Sequence, residues 1–174
     1  MANTYELISS VTVGSGGAAN IEFTSIPATY TDLLVKLSGR SSRSGAYAEE
    51  FLLTFNNVTS GYSEQWLRGT GSTVAGSSFS GSSIQQLGQP GAAATANTFG
   101  NWEFYITNYA GSNNKSIILD GVTESNSATA GHALSYLHAG LWANSAAITS
   151  IKISAGSYLA EQYSTAYLYG ISNA

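Results

Sequence analysis

The sequence predicts an all-β fold, an antiparallel β-sandwich that is jelly-roll-like, with about ten strands and little helix. Three observations lead to this prediction: apolar and polar residues alternate with period two, turns rich in glycine, serine and asparagine separate the alternating segments, and no long segment has an amphipathic helical pattern. Strands in this number without a βαβ rhythm form a sandwich or a barrel. The 174 residues contain no linker and no tandem repeat, so we expect one domain over residues 1–174.

The first two strand candidates flank a glycine-rich turn. Segments 5–13 and 20–24 alternate, and the sequence GSGG at 14–17 tolerates positive φ between them, so we expect a hairpin. Short strands are also expected in 69–102, where apolar residues recur among Gly, Ser and Ala. Alternation continues in four further segments: 51–55, 102–107, 117–120 and 166–171.

The third strand carries the clearest alternation. It begins after Pro27, because proline cannot donate a hydrogen bond to the ladder. Its Leu33, Val35 and Leu37 are expected to face the core, whereas Lys36 points to the opposite face.

Composition excludes several classes of function. Charged residues make up only 9% of the chain, against roughly 25% in typical soluble domains, and the net charge is −4. The six Lys and Arg residues form no basic stripe, so we expect no nucleic-acid partner. The absence of cysteine excludes disulfides, cysteine-ligated zinc and cysteine nucleophiles. No signal peptide and no apolar run of about 20 residues is visible, so no membrane association is expected.

No catalytic or metal-binding motif is present. His132 and His138 are six residues apart, or about 20 Å along one strand, which is too far for a shared metal ion. Glu49 and Glu50 are adjacent and point to opposite faces of a strand, so a carboxylate pair would need to form between distant strands. No nucleophile elbow or phosphate-binding loop occurs. We therefore expect a non-enzymatic protein without cofactors.

Five residues are candidates for contact with a partner. Lys36, Arg40 and Arg43 fall within eight positions, and this cluster is prominent in a chain so poor in charge. Trp66 lies beside Arg68 and is expected to be exposed. The cluster of three could contact an acidic partner surface, and Trp66 and Arg68 are further candidates for partner contact.

Aromatic residues suggest an alternative binding mode. The chain has eleven tyrosines and three tryptophans, and exposed aromatic rings make good platforms for sugars. Trp66, Tyr62 and Tyr109 are the candidates for stacking on a glycan. Strand phase favours a position in the core for Trp102 and Tyr169.

Four stretches of the chain show a resemblance to known proteins: IPATYTDLLVKLSGRS (26–41), FGNWEFYITNYAGSNNKSI (99–117), LHAGLWANSAAITSIKI (137–153) and QYSTAYLYGIS (162–172). They resemble small virion structural proteins of tailed bacteriophages. The resemblance implies a β-sandwich on the virion, as a homotrimer, without catalytic residues. Within that class the short chain, without a visible stalk, collagen-like repeat or heptads, favours a capsid decoration (cement) protein, made in the cytoplasm of the bacterial host, that binds the major capsid protein on the capsid surface. A tail or fibre component and a receptor-binding, carbohydrate-recognising module are the alternatives.

Overall fold

A computed structural model describes residues 4–172 and confirms the all-β prediction. Within this range the chain forms two antiparallel sheets and no helix, consistent with a β-sandwich. None of the described residues form a helix long and apolar enough to cross a membrane. Twelve strands are present, against the expected ten: β1 (Tyr5–Thr12), β2 (Asn20–Phe23), β3 (Asp32–Gly39), β4 (Ala48–Phe55), β5 (Tyr62–Gly69), β6 (Val74–Gly81), β7 (Ile84–Pro90), β8 (Gly100–Ile106), β9 (Lys115–Thr123), β10 (Leu134–Trp142), β11 (Ile151–Ser154) and β12 (Thr165–Ile171).

The two sheets differ in size. The large sheet has the order β1-β12-β3-β8-β9-β10-β5-β6, and the small sheet has the order β2-β11-β4-β7. The expected β1–β2 hairpin is wrong, because β1 pairs with β12 in the large sheet and β2 pairs with β11 in the small sheet. The turn at 14–17 therefore carries the chain from one sheet to the other. Across this turn, Ala18 and Ala160 exchange backbone hydrogen bonds of 2.9 and 2.7 Å.

The core lies between the sheets and contains the predicted face of β3. Leu33, Val35 and Leu37 are buried, as expected from their phase, and so is Trp102 on the neighbouring strand β8. The indole Nε1 of Trp102 donates a 2.7 Å hydrogen bond to the Gly88 carbonyl of the small sheet. Trp102 therefore connects the two sheets through a polar contact as well as through packing.

The predicted phase of β12 is wrong. Tyr169 is half-buried on the face that points away from the core, whereas Ala166 and Leu168 point inward and are fully buried. Nearly every residue of this strand has apolar character, so period two alone does not distinguish its two faces. Gly170 also points inward, and the Tyr30 ring occupies the space that a side chain at this position would need.

Candidate functional site

One face of the large sheet is left open by the described chain. The small sheet covers the opposite face, and we call the open one the outer sheet face. Along β9 and β10 every second residue is buried and the residues between them are exposed. Each of these two strands therefore presents a complete row of side chains to solvent.

Large aliphatic side chains cluster on the outer sheet face. Leu137 on β10 is directly opposite Leu67 on β5, and Ile118 on β9 is opposite Ala139. A groove of about 770 Å³ lies along this area. Contiguous exposed apolar surface marks interaction sites in soluble proteins. We call the following five residues, which are 36–55% exposed, the aliphatic patch: Leu67, Ile118, Val122, Leu137 and Leu141.

A charged residue interrupts the aliphatic patch on β9, and another borders it on β8. Asp120 lies opposite Leu137 on one neighbouring strand and opposite Glu103 on the other. Glu103 Oε2 accepts a 2.6 Å hydrogen bond from Lys36 Nζ, and this bond raises the pKa of the lysine. Lys36 is thus exposed on the outer sheet face and is already paired with a carboxylate.

The structure corrects the role expected for Arg40. Only 5% of this residue is exposed, so it is not available to a partner. Its Nε donates to Glu161 Oε2 at 3.0 Å, its Nη1 to the Thr95 and Thr98 carbonyls at 2.9 Å, and its Nη2 to the Ala94 carbonyl at 3.2 Å. These acceptors lie more than 50 residues away in sequence, so local sequence could not reveal them.

The other candidates for partner contact do not form one surface. Arg43 is exposed and forms an ion pair with Glu49, which raises the pKa of the guanidinium. Trp66 and Arg68 are half-buried on β5, with the guanidinium 5.3 Å from the indole ring centre. Four strand spacings, about 19 Å, separate β5 from β3 and Lys36.

Two of the three candidates for glycan stacking are buried, and their prediction is therefore wrong. Tyr62 is 2% exposed and its hydroxyl donates to the Val58 carbonyl at 3.1 Å. Burial raises the pKa of Tyr62 to about 12. The Tyr109 ring is fully buried and its hydroxyl donates to the Pro27 carbonyl. Neither ring can stack on a sugar.

A pair of titratable side chains lies between the two sheets. Glu64 Oε2 accepts a 2.9 Å hydrogen bond from the Gln85 backbone N–H, and His138 Nδ1 lies 3.9 Å from the same oxygen. Burial raises the pKa of Glu64 to about 7 and lowers that of His138 to about 4. Both residues are at most 3% exposed, so a substrate cannot reach them. The described residues hold no group of three His, Cys, Asp or Glu side chains suited to a metal ion.

The aliphatic patch could not be found from alternation alone. Leu67 and Leu137 lie on β5 and β10, which the sequence pattern does not distinguish clearly from their surroundings. Ile118 and Val122 alternate with equally apolar inward residues of β9, so the pattern does not say which row faces solvent. The available signal is the uncharged segment 125–151, which includes all of β10.

No protein family model, no curated protein and no solved structure matches this chain.

Proposed function

We propose that the protein is a non-enzymatic structural protein of a tailed-bacteriophage virion. Its role is capsid decoration: it binds the outer surface formed by the major capsid protein and stabilises the contacts between capsomers. It acts as a homotrimer, is made in the host cytoplasm and needs neither nucleic acid nor a membrane as partner. The resemblance of four sequence stretches to small virion proteins supports this role.

The aliphatic patch is the observation that carries the proposal, and we assign it to contacts between copies of the chain. The five strands around it, β8, β9, β10, β5 and β6, span about 600 Å² at the usual strand spacing and rise. In a threefold assembly the patch of each copy contacts a different part of the next copy, and each such contact buries about 1,200 Å² in total, above the roughly 1,000 Å² expected of a specific interface. Burial of apolar area at about 25 cal/mol per Å² favours this association.

The low charge of the chain favours burial of its surface against other proteins in an assembly. The uncharged segments 69–102 and 125–151 contain β6, β7 and β10, and two of these strands border or carry the aliphatic patch. Burial of neutral hydroxyls and amides costs much less free energy than burial of charges. The parts of this surface that β6 and β10 contribute can therefore be removed from water at a modest cost, whereas Asp120 on β9 and Glu103 on β8 carry charge.

Decoration requires no reaction. A protein that binds only the assembled lattice lowers the free energy of that lattice and disfavours its dissociation by mass action. Lys36 and Arg43 remain exposed for contact with an acidic capsid surface, and Lys36 lies on the part of the outer sheet face that is remote from Leu67.

The proposal is tested by particles that lack the protein. We expect such particles to release DNA at a lower temperature than particles to which the protein is added back. A particle reconstruction would place added density on the capsid, whereas density on the tail would favour the fibre alternative. Equal heat resistance with and without the protein would contradict decoration.

The association of copies is tested separately in solution. The wild-type protein should have a mass three times that of the 18.1 kDa chain. Leu137→Glu, which places a charge in the aliphatic patch, should be a monomer with an unchanged circular dichroism spectrum. Leu159→Glu is the matched control, because Leu159 is an exposed leucine outside the outer sheet face. A monomeric wild type would contradict the trimer.

A further inference from the structure

Loops at one end of the sandwich enclose a second cleft. It has a volume of about 410 Å³ and lies between the loops β1–β2, β3–β4, β7–β8 and β11–β12. We call it the loop-end cleft. Small-molecule sites have volumes of about 300–1,000 Å³ and are often carried by loops on a rigid scaffold. Size and position therefore suit a ligand.

Tyr163 stands at this cleft in an unusual conformation. Its φ is +73°, a value that bulky L residues rarely adopt, and yet 67% of the residue is exposed. Its backbone N–H donates to the Val13 carbonyl at 3.0 Å, and the Ser164 N–H donates to the Glu161 carbonyl at 3.0 Å. The surrounding turn thus holds a strained tyrosine with its ring in solvent. Strain of this kind is concentrated at binding and catalytic sites.

Arg40 fixes two walls of the loop-end cleft relative to each other. Its guanidinium binds three backbone carbonyls of the loop that carries Asn97, and it also binds the Glu161 carboxylate. The Glu161 N–H donates to the Arg40 carbonyl at 2.8 Å, which fixes the loop that carries Tyr163. The walls are therefore positioned before any ligand arrives, which lowers the entropy cost of binding.

The polar groups at the cleft suit hydroxyl groups. Asn97 and Gln162 are exposed and line the cleft with amide groups that can both donate and accept. The Glu161 side chain is 36% exposed and supplies a carboxylate acceptor. Arg40 has protein acceptors at Nε, Nη1 and Nη2, so its charge is compensated and does not attract an anion. A neutral polyol fits these groups better than a phosphate or an acidic sugar.

We propose that the loop-end cleft binds a neutral saccharide whose pyranose ring stacks on Tyr163. The aromatic face contacts the C–H groups of the sugar, and Asn97, Gln162 and Glu161 bind its hydroxyls. This site is distinct from the buried Tyr62 and Tyr109. It also goes beyond the proposed function, because capsid decoration through the outer sheet face requires no ligand in this cleft.

Saturation-transfer NMR with defined sugars tests this site. The probes are maltose, lactose, mannobiose and N,N′-diacetylchitobiose, with glucuronate as the charged comparison and inorganic phosphate as an added competitor. At least one neutral disaccharide should bind at millimolar concentration. Tyr163→Gly should weaken that binding by about tenfold or more, as expected for an aromatic hot spot. Tyr163→Phe should retain binding, and Tyr167→Ala, at an exposed tyrosine of β12, is the matched control.

Stability provides a second readout for Tyr163→Gly. Glycine adopts φ of +73° without strain, so this variant should melt at or above the temperature of the wild type. Loss of binding would then not be caused by unfolding. The proposal is wrong if none of the four disaccharides binds, if Tyr163→Gly binds as the wild type does, or if phosphate displaces the bound sugar.

Discussion

Glu64 Oε2 and His138 Nδ1 lie 3.9 Å apart on the adjacent strands β5 and β10, in the interior of the sandwich. Burial disfavours the charged form of each side chain, and the nearby Glu50 carboxylate raises the pKa of Glu64 further. The two groups thus affect stability in opposite pH ranges.

The Glu64→Gln variant isolates the effect of the carboxylate. Below pH 4.5 Glu64 is protonated in both the folded and the unfolded chain, so its full contribution to stability is present. As the pH rises to about 7, the unfolded chain releases the proton first and the folded state loses stability. Glu64→Gln should therefore be more stable than the wild type by about 3 kcal/mol at pH 8, with no difference near pH 4. Urea unfolding at both pH values measures this, with Glu22→Gln on β2 as the control for net charge.

The histidine has the opposite pH dependence. The pKa of His138 is about 4 in the folded chain, below the usual 6.5. The contribution of His138 to the stability of the folded state is therefore complete above pH 6.5 and is lost as the pH falls to about 4. Glu64→Gln should therefore lose stability on acidification below pH 6.5, whereas His138→Asn should lose stability as the pH rises from 4.5 to 7. Parallel pH profiles for the two variants would contradict this assignment.

Gly121 should be essential for the packing of Trp102. A Cβ atom at residue 121 would overlap the indole ring, which also donates to Gly88 and cannot shift without loss of that bond. Gly121→Ala should lower the free energy of unfolding by about 3 kcal/mol, the upper part of the range for overpacked cores. Gly14→Ala is the control, because a Cβ there meets no atom within 4 Å, and its effect should be below about 0.5 kcal/mol. Similar losses in the two variants, measured by urea unfolding, would be inconsistent with the packing described.

Arg40 and Arg43 should behave very differently when they are replaced. Arg40→Met leaves three carbonyls of the β7–β8 loop and the Glu161 carboxylate without their donor, and it should cost about 3 kcal/mol of stability. Arg43→Ala removes an exposed ion pair and should leave the urea midpoint unchanged. Equal midpoints for Arg40→Met and the wild type would restore Arg40 as a candidate for partner contact.

Lys36 and Arg43 together test the contact with an acidic capsid surface. The double variant Lys36→Ala/Arg43→Ala should attach to capsids more weakly than the wild type at low salt. The difference should vanish at about 0.5 M salt, where charges are screened within a few ångströms. Co-sedimentation with purified capsids at several salt concentrations measures the attachment. Identical attachment of the double variant and the wild type at every salt concentration would contradict a role of Lys36 and Arg43 in capsid contact.

Alternation predicted the fold class because it reports which residues are removed from water, and that information is local. It placed Leu33, Val35 and Leu37 in the core, where they are found. It could not place β1, because the partner of β1 is β12, at the other end of the chain. It also misjudged Tyr169, since a strand of mostly apolar residues has two equivalent phases.

The candidate sites were harder to predict, because local sequence does not show which residues come together in space. Basic residues that are close in sequence diverge in space: Lys36 lies on the outer sheet face, Arg40 in the interior and Arg43 on a loop. The aliphatic patch and the loop-end cleft are assembled from segments that are distant in sequence. Of the aromatic residues, Tyr163 stands out only once its φ and exposure are known.

The pairing of β1 with β12 has a consequence for how the chain folds. The first strand has its ladder partner more than 150 residues further along the chain, and β2 likewise requires the distant strand β11. Both sheets are therefore completed only after β11 and β12 have been synthesised, and such long-range pairings make folding slow. Until then Tyr5–Thr12 and Asn20–Phe23 have both strand edges free instead of one, and the nascent chain is most prone to aggregation in that interval.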